Sequence, residues 1–228
     1  MITLQTGKPI NIALPHIYRY MDKEYIDLFF EKGILRVSSF KRFIQYPDEI
    51  RGDKSEGGGT YEAKSAEGFQ FLLMTNVGSN AYMFCTSLIA TDEIKHQFNV
   101  NSYFRINKPL EFSAAIINAI VGSTQAYLGF CNYQDYRIIK KQIEGFSVND
   151  FTNEKGELIL GGPKMNQRTN EMMGNGIDLM FLKENKYQSQ SEFRFMWTIN
   201  NQFYEMQEYL DITCKEAVQF CERVENGG

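Results

Sequence analysis

Three short segments concentrate the residues able to do chemistry: Tyr18-Arg19-Tyr20, Phe84-Cys85-Thr86-Ser87 and Gln190-Ser191-Glu192-Phe193-Arg194. Each reads as a strand, and strand alternation lets their polar side chains converge if the strands are neighbours. An arginine offers a planar fork of donors to phosphate or carboxylate, which lysine does poorly. A fixed carboxylate stabilises positive charge as it develops. The common catalytic signatures are missing: there is no Walker loop, no Gly-x-Gly-x-x-Gly after a strand and no Gly-x-Ser-x-Gly elbow. His16 and His96 are the only imidazoles, so a hydrolase triad cannot be assembled convincingly. Cys85, Cys131, Cys214 and Cys221 contain no Cys-x-x-Cys pair, so no metal site is expected.

In this order the segments resemble the ADP-ribosyltransferase superfamily, in which an arginine, a Ser-Thr-Ser strand and a Glu-x-Glu or Gln-x-Glu motif surround NAD. Arg19 matches the first-strand arginine, and the following helix, running into Glu31-Lys32-Gly33-Ile34-Leu35, resembles the helix–glycine–strand of several such enzymes. Thr86-Ser87 matches the end of the Ser-Thr-Ser element, with Cys85 in place of its first serine, and Gln190-x-Glu192 resembles the third motif. Separately, Tyr18-Arg19-Tyr20, Ser38-Ser39, Arg51-x-Asp53-x-x-Glu56-Gly57, Cys85-x-Ser87 and Glu192-x-Arg194 resemble a family of poorly characterised bacterial proteins.

The resemblance implies an α+β fold, a split β-sandwich of two small mixed sheets flanked by helices. It implies a mono-ADP-ribosyltransferase with NAD as substrate and a protein or nucleic-acid acceptor, of the toxin or phage-conflict kind, with an antitoxin or inhibitor as a further partner. Glu192 would stabilise the oxocarbenium-like ribosyl cation and hold the 2′-hydroxyl. Arg19 would grip pyrophosphate or ribose, Thr86 and Ser87 would line the NAD site with Ser87 orienting Glu192, and Tyr20 or Tyr103 would stack on nicotinamide. Gln190, on the same strand face as Glu192, would position the acceptor, and Arg51 joins the NAD-binding set. This reading requires Arg19, Ser87 and Glu192 to meet in one cleft. The alternative is a non-catalytic module that keeps the fold and captures a nucleotide or partner; it expects Glu192 to be blocked or paired with Arg194.

The elements that must position these residues are partly legible. Ile17 to Tyr20 reads as a strand, Asp22 as a helix cap, and Tyr25 to Phe30 as an apolar helical face. Gly33 stands at the helix stop, before a strand over 34–37. Strands are expected over 69–74, 82–88, 103–106, 127–130, 158–160 and 193–199. Helices are expected over 92–98, 111–120, 134–143 and from Cys214 to Val224. Long loops are expected near 45–68 and 161–178, rich in Gly and polar residues.

Apolar residues make up 43% of the 228, enough for a single buried domain spanning 1–228. The formal charge of −4 gives no global field toward nucleic acid or anionic lipid. The cysteine usage fits a reducing compartment. The most apolar run, Ala114 to Val121, is too short for a bilayer, and no signal peptide is read at the N-terminus. A cytoplasmic protein is therefore expected, without membrane contact. Each candidate also has a plain structural role open to it: Arg19 as an exposed strand arginine, Glu192 and Arg194 as a surface pair, and Arg51, Asp53 and Glu56 as a solvated loop.

Overall fold

A computed structural model describes residues 14–47, 52–200 and 206–224. The architecture is α+β. Strand β1 (Ile17–Met21) leads into helix α1 (Lys23–Lys32), and Gly33, at φ 73°, closes that helix with its N–H on the Phe29 carbonyl. Strand β2 (Ile34–Ser39) follows, then α2 (Phe40–Gln45), capped by the Ser39 hydroxyl. After β3 (Gly58–Lys64) and β4 (Gln70–Asn76) comes β5 (Ala81–Ser87). Helix α3 (Asp92–Phe98), β6 (Ser102–Ile106), α4 (Pro109–Ala119) and β7 (Ser123–Phe130) complete the first half.

The second half holds β8 (Asn132–Gln134), β9 (Ile138–Lys141), α5 (Pro163–Met173), α6 (Ile177–Met180) and β10 (Leu182–Glu184). It closes with β11 (Glu192–Ile199), β12 (Tyr209–Thr213), α7 (Lys215–Val218) and β13 (Cys221–Arg223). Among the described residues there are three sheets, of eight, three and two strands. The largest runs β12-β2-β5-β1-β6-β13, with β11 on β5 and β7 on β11, antiparallel throughout. Parallel pairs occur only in the small sheets, as β3 with β9 and β10 with β8.

All eight residues of β11 are buried, because both faces of the main sheet are covered. On one face Phe84, Phe193, Phe195 and Trp197 pack with Ile26 and Phe29 of α1 and with Phe112 and Ile116 of α4. Each such side chain contributes roughly 1.5–3 kcal/mol by leaving water. On the other face Met83 and Met196 meet Phe40 of α2 and Ile177, Met180 and Phe181 around α6. No helix is long and apolar enough to cross a membrane among the described residues.

Several expectations are corrected. The segment 45–68 contains β3, hidden in sequence by Gly58 and Gly59; a Cβ at Gly59 would meet the Leu179 side chain at 2.5 Å and the Arg137 carbonyl at 3.1 Å, so the glycine allows close packing there. The segment 161–178 contains α5, masked by its largely polar sequence with only Met172 buried, and the start of the short α6. Residues 134–143 hold no helix; within them Ile138 to Lys141 is strand, because it finds a ladder partner in β3. Leu158 makes only an isolated bridge to Thr152, and Leu158 and Leu160 are exposed. The expected C-terminal helix is one short turn, α7, after which β13 pairs with β6.

Candidate functional site

Strand β5 has one edge fully paired and the other broken. Along the first edge β11 runs from Glu192 opposite Ser87 to Thr198 opposite Ala81. The second edge is shared: β2 takes Tyr82 and Met83, while β1 takes Ser87 through Tyr18. Between them both strands turn away, β2 toward β12 and β1 toward β6. Phe84, Cys85 and Thr86 have no ladder partner on that edge.

Arg19 occupies the break. It donates from Nη1 to the Cys85 carbonyl, and its guanidinium carbon lies 4.4 Å from the Phe84 ring centroid. The guanidinium thus meets the need of a buried carbonyl that the missing strand leaves open. Its Nε is buried and has no hydrogen-bond partner among the described residues. A cleft of about 470 Å³ opens here, with Arg19, Tyr20, Cys85, Thr86, Gln190 and Glu192 among the residues that line it.

Glu192 sits at the floor, held from two sides. Lys183 of β10 donates to Oε2 at 2.6 Å, and Nε of Arg194 donates to Oε1 at 2.6 Å. Arg194 is fully buried and uses its other two nitrogens on Glu56, at 2.7 and 2.9 Å. Lys183 also reaches Gln190 Oε1 at 3.1 Å. The result is a buried chain Glu56–Arg194–Glu192–Lys183–Gln190 of alternating charge ending on a neutral amide. Isolated charges at such depth cost far more than they return; paired and hydrogen-bonded ones are tolerated. Beside it, Asp53 pairs with Arg137 at 3.2 Å, so the segment carrying Asp53 and Glu56 is tied down at both acids.

Burial pushes the Glu192 carboxyl upward, but the charges and hydrogen bonds of Arg194 and Lys183 override this and hold it well below the usual carboxylate range. Lys183 shows the complement: burial opposes its charge, Glu192 overrides, and the ammonium is held above its ordinary value. Burial, with Glu192 adding to it, pushes the Cys85 thiol well up, so that it remains a thiol. Burial lowers Arg19, against the pull of Cys85 and Glu192.

Comparisons of the chain with family models, with curated proteins and with solved structures return no match. The site therefore rests on its own geometry. Arg19, Tyr20, Thr86, Gln190 and Glu192 are brought to one cleft. Ser87 corrects the expectation: of Arg19, Ser87 and Glu192 only Arg19 and Glu192 line the cleft, while the Ser87 hydroxyl turns inward, donating to the Gln190 carbonyl at 2.8 Å and accepting from the Ile89 N–H at 3.2 Å, so it braces the turn before Glu192 and leaves the carboxylate to Lys183 and Arg194. The Thr86 hydroxyl donates to the Phe193 carbonyl at 2.6 Å. Tyr20 lines the cleft with its hydroxyl engaged, donating to Ile89 and accepting from the Thr91 N–H, and burial pushes it up to about 12. Tyr103 lies outside the lining, packed on Tyr18 and Tyr20 with ring centroids 5.8 and 5.1 Å away. Arg51 lies outside the described residues.

Two corrections concern local geometry. Gln190 ends a 3-10 turn over Asn185–Gln190, and Ser191 at φ 43° separates it from β11. Its approach to Glu192 therefore comes through Lys183, not from a shared strand face. Glu192 and Arg194 are buried, at 5% and 0% exposure, rather than a surface pair, and Asp53 and Glu56 are buried rather than solvated. Lys183 was not singled out from sequence. Its only signal is a lysine within Phe181-Leu182-Lys183, and a short apolar context does not by itself announce a buried cation.

Proposed function

We propose that the cleft binds NAD and cleaves its nicotinamide–ribose bond, passing ADP-ribose to a macromolecular acceptor. One observation carries this reading: Arg19, the Cys85-Thr86-Ser87 element and Glu192 stand on three neighbouring strands, β1, β5 and β11, with Ser87 in register with both Tyr18 and Glu192. The residues also suit the substrate. The buried, unpartnered Nε of Arg19 fits an anionic oxygen. Each oxygen of Glu192 accepts one cationic donor and keeps a lone pair able to take a ribose hydroxyl.

In this reaction the glycosidic bond breaks with its electron pair leaving on nicotinamide, the acceptor's nucleophile bonds to the ribosyl carbon, and the proton it carried passes to solvent. Glu192 is suited to electrostatic stabilisation of the cationic transition state, since its carboxylate is already ionised and fixed. Cys85 is not suited as a nucleophile, because its thiol is held protonated.

A second reading has its own support. Lys183 and Arg194 occupy both oxygens of Glu192, which is the arrangement expected of a binding module that has kept the fold and lost turnover. One experiment separates the two. Purified protein is incubated with NAD and nicotinamide release is followed, in wild type and in Glu192→Gln and Glu192→Ala. Slow release lost in both variants supports the transferase. Saturable NAD binding by calorimetry without release supports the binding module. Neither binding nor release removes NAD from both.

A further inference from the structure

The outer part of the same cleft has a different chemistry from its floor. Arg36 and Asp211 face each other across β2 and β12, and their side chains join by two hydrogen bonds, both 2.7 Å, from Nε and Nη2. Tyr209 lies two residues before Asp211, on the same face of β12, diagonal to Arg36. The Arg36 guanidinium carbon accordingly lies 3.9 Å from the Tyr209 ring centroid, at stacking distance. Arg42, from α2, lies 5.4 Å from the same ring and pairs with Glu208 at 3.3 Å.

Each guanidinium is paired with an acid, Arg36 through two hydrogen bonds to Asp211 and Arg42 through one to Glu208, and the Tyr209 ring lies against Arg36. Arg36, Arg42 and Asp211 are among the residues that line the cleft, while Tyr209 is not. Tyr25 and Tyr46 line the same region. Arg36 and Asp211 are 49% and 47% exposed, so the pair is open to solvent at the cleft wall. A phosphate finds no net positive charge in these two pairs. A flat, uncharged, polarisable ring does find matching faces, because guanidinium planes stack on aromatic heterocycles.

We propose that the Arg36–Tyr209–Arg42 layer is a nucleobase-binding platform at the mouth of the cleft. This deepens the reading above, resting on it only for the expectation that the ligand is a nucleotide. With the base on the platform, the sugar and phosphates extend inward toward Arg19 and Glu192, where the unmet donor and the fixed carboxylate lie.

The test uses the full chain and four uncharged nucleosides, adenosine, guanosine, cytidine and uridine, titrated separately by calorimetry or ligand-observed NMR. Ribose 5-phosphate, which has no base, serves as the comparison. At least one nucleoside is expected to bind saturably, and Arg36→Lys, which removes the stacking plane, is expected to weaken it by roughly tenfold, the usual scale for losing one stacking partner; Tyr209→Ala, which removes only the support behind Arg36, is expected to weaken it less. Arg36→Lys is the decisive variant, since it keeps the charge and removes the plane. Binding of none of the four nucleosides, or wild-type affinity in Arg36→Lys, would overturn the proposal. A variant that weakens ribose 5-phosphate as strongly as the nucleoside would also overturn it, by showing a phosphate contact. Nicotinamide release is not read here, so an inactive enzyme that still binds a nucleoside sinks the transferase and leaves the platform standing.

Discussion

Glu192 and Arg194, two residues apart on β11, point to the same face and meet through a 2.6 Å hydrogen bond with both side chains buried. The guanidinium then continues to Glu56, so that a single arginine neutralises two acids from distant parts of the chain. Removing it strands both. Arg194→Met is expected to lower the unfolding free energy by about 3–5 kcal/mol, the usual cost of breaking a buried pair from one side. Urea or guanidinium titration followed by Trp197 fluorescence measures this. A loss under about 1 kcal/mol would show that the network is not paired as described.

The acid and alkaline limits of stability follow from the same network. The folded-state pKa of Glu192 lies below its unfolded value near 4.5, so the unfolded chain binds the proton first. Its contribution is complete above that pH and is lost as pH falls through the folded value. Lys183 is raised above its ordinary 10.5, so its contribution is complete below that pH and is lost as pH rises through the folded value. Thermal midpoints from pH 3 to 11 should therefore fall at both ends, and Glu192→Gln should flatten the acid limb.

The same ionisation bears on turnover. If nicotinamide is released, its rate should not fall on the acid side with an apparent pKa near that of an ordinary glutamate. A wild-type pH–rate profile between 4 and 7 that breaks near 4.5 would show the carboxyl to be unpaired in the working enzyme.

Ser87 is expected to matter for folding more than for ligand. Ser87→Ala leaves the Gln190 carbonyl and the Ile89 N–H without their buried partner, at a cost of about 1–2 kcal/mol. Calorimetric NAD affinity should stay within about threefold of wild type, since the hydroxyl does not reach the cleft. Arg19→Lys should do the reverse. It keeps the charge, loses the fork, and should weaken NAD by about tenfold or more, the worth of a charge-assisted hydrogen bond.

Gly33→Ala tests the unit that carries Arg19. At φ 73° an added Cβ would lie 2.6 Å from the Lys215 nitrogen, and backbone cannot step aside as a flexible side chain can. The substitution should cost more than about 1 kcal/mol, read by thermal unfolding.

What the sequence made legible follows from what local physics controls. The β1–α1–β2 unit was readable because alternation, an apolar helical face and a glycine stop are all encoded within 24 residues, 17 to 40. The strands β5 and β11 were readable for the same reason. The helix expected over 134–143 failed because β9 is stabilised by a partner, β3, that lies far away in sequence and was itself concealed by glycines. The site divides along the same line. Arg19 and Glu192 were found because strand position points them to one place. The roles of Glu56 and Lys183 depend on which segments fold over β11, and that is decided by tertiary packing. Ser87 was placed next to its expected neighbours, yet its hydroxyl follows the nearer backbone groups of the turn at Gln190.

The break in the edge of β5 has a consequence for how this protein can change. In most sheets a ligand reaches the strand backbone only at an outer margin, and loops must build any deeper pocket. Here the cleft abuts a three-residue break inside the sheet, framed by regular strands and filled by the Arg19 side chain. The walls that discriminate between ligands are then α2, β12 and the segment around Glu56, none of which forms the break itself. These parts can be exchanged or lengthened to suit a different ligand, while the frame that presents Arg19 and Glu192 stays fixed.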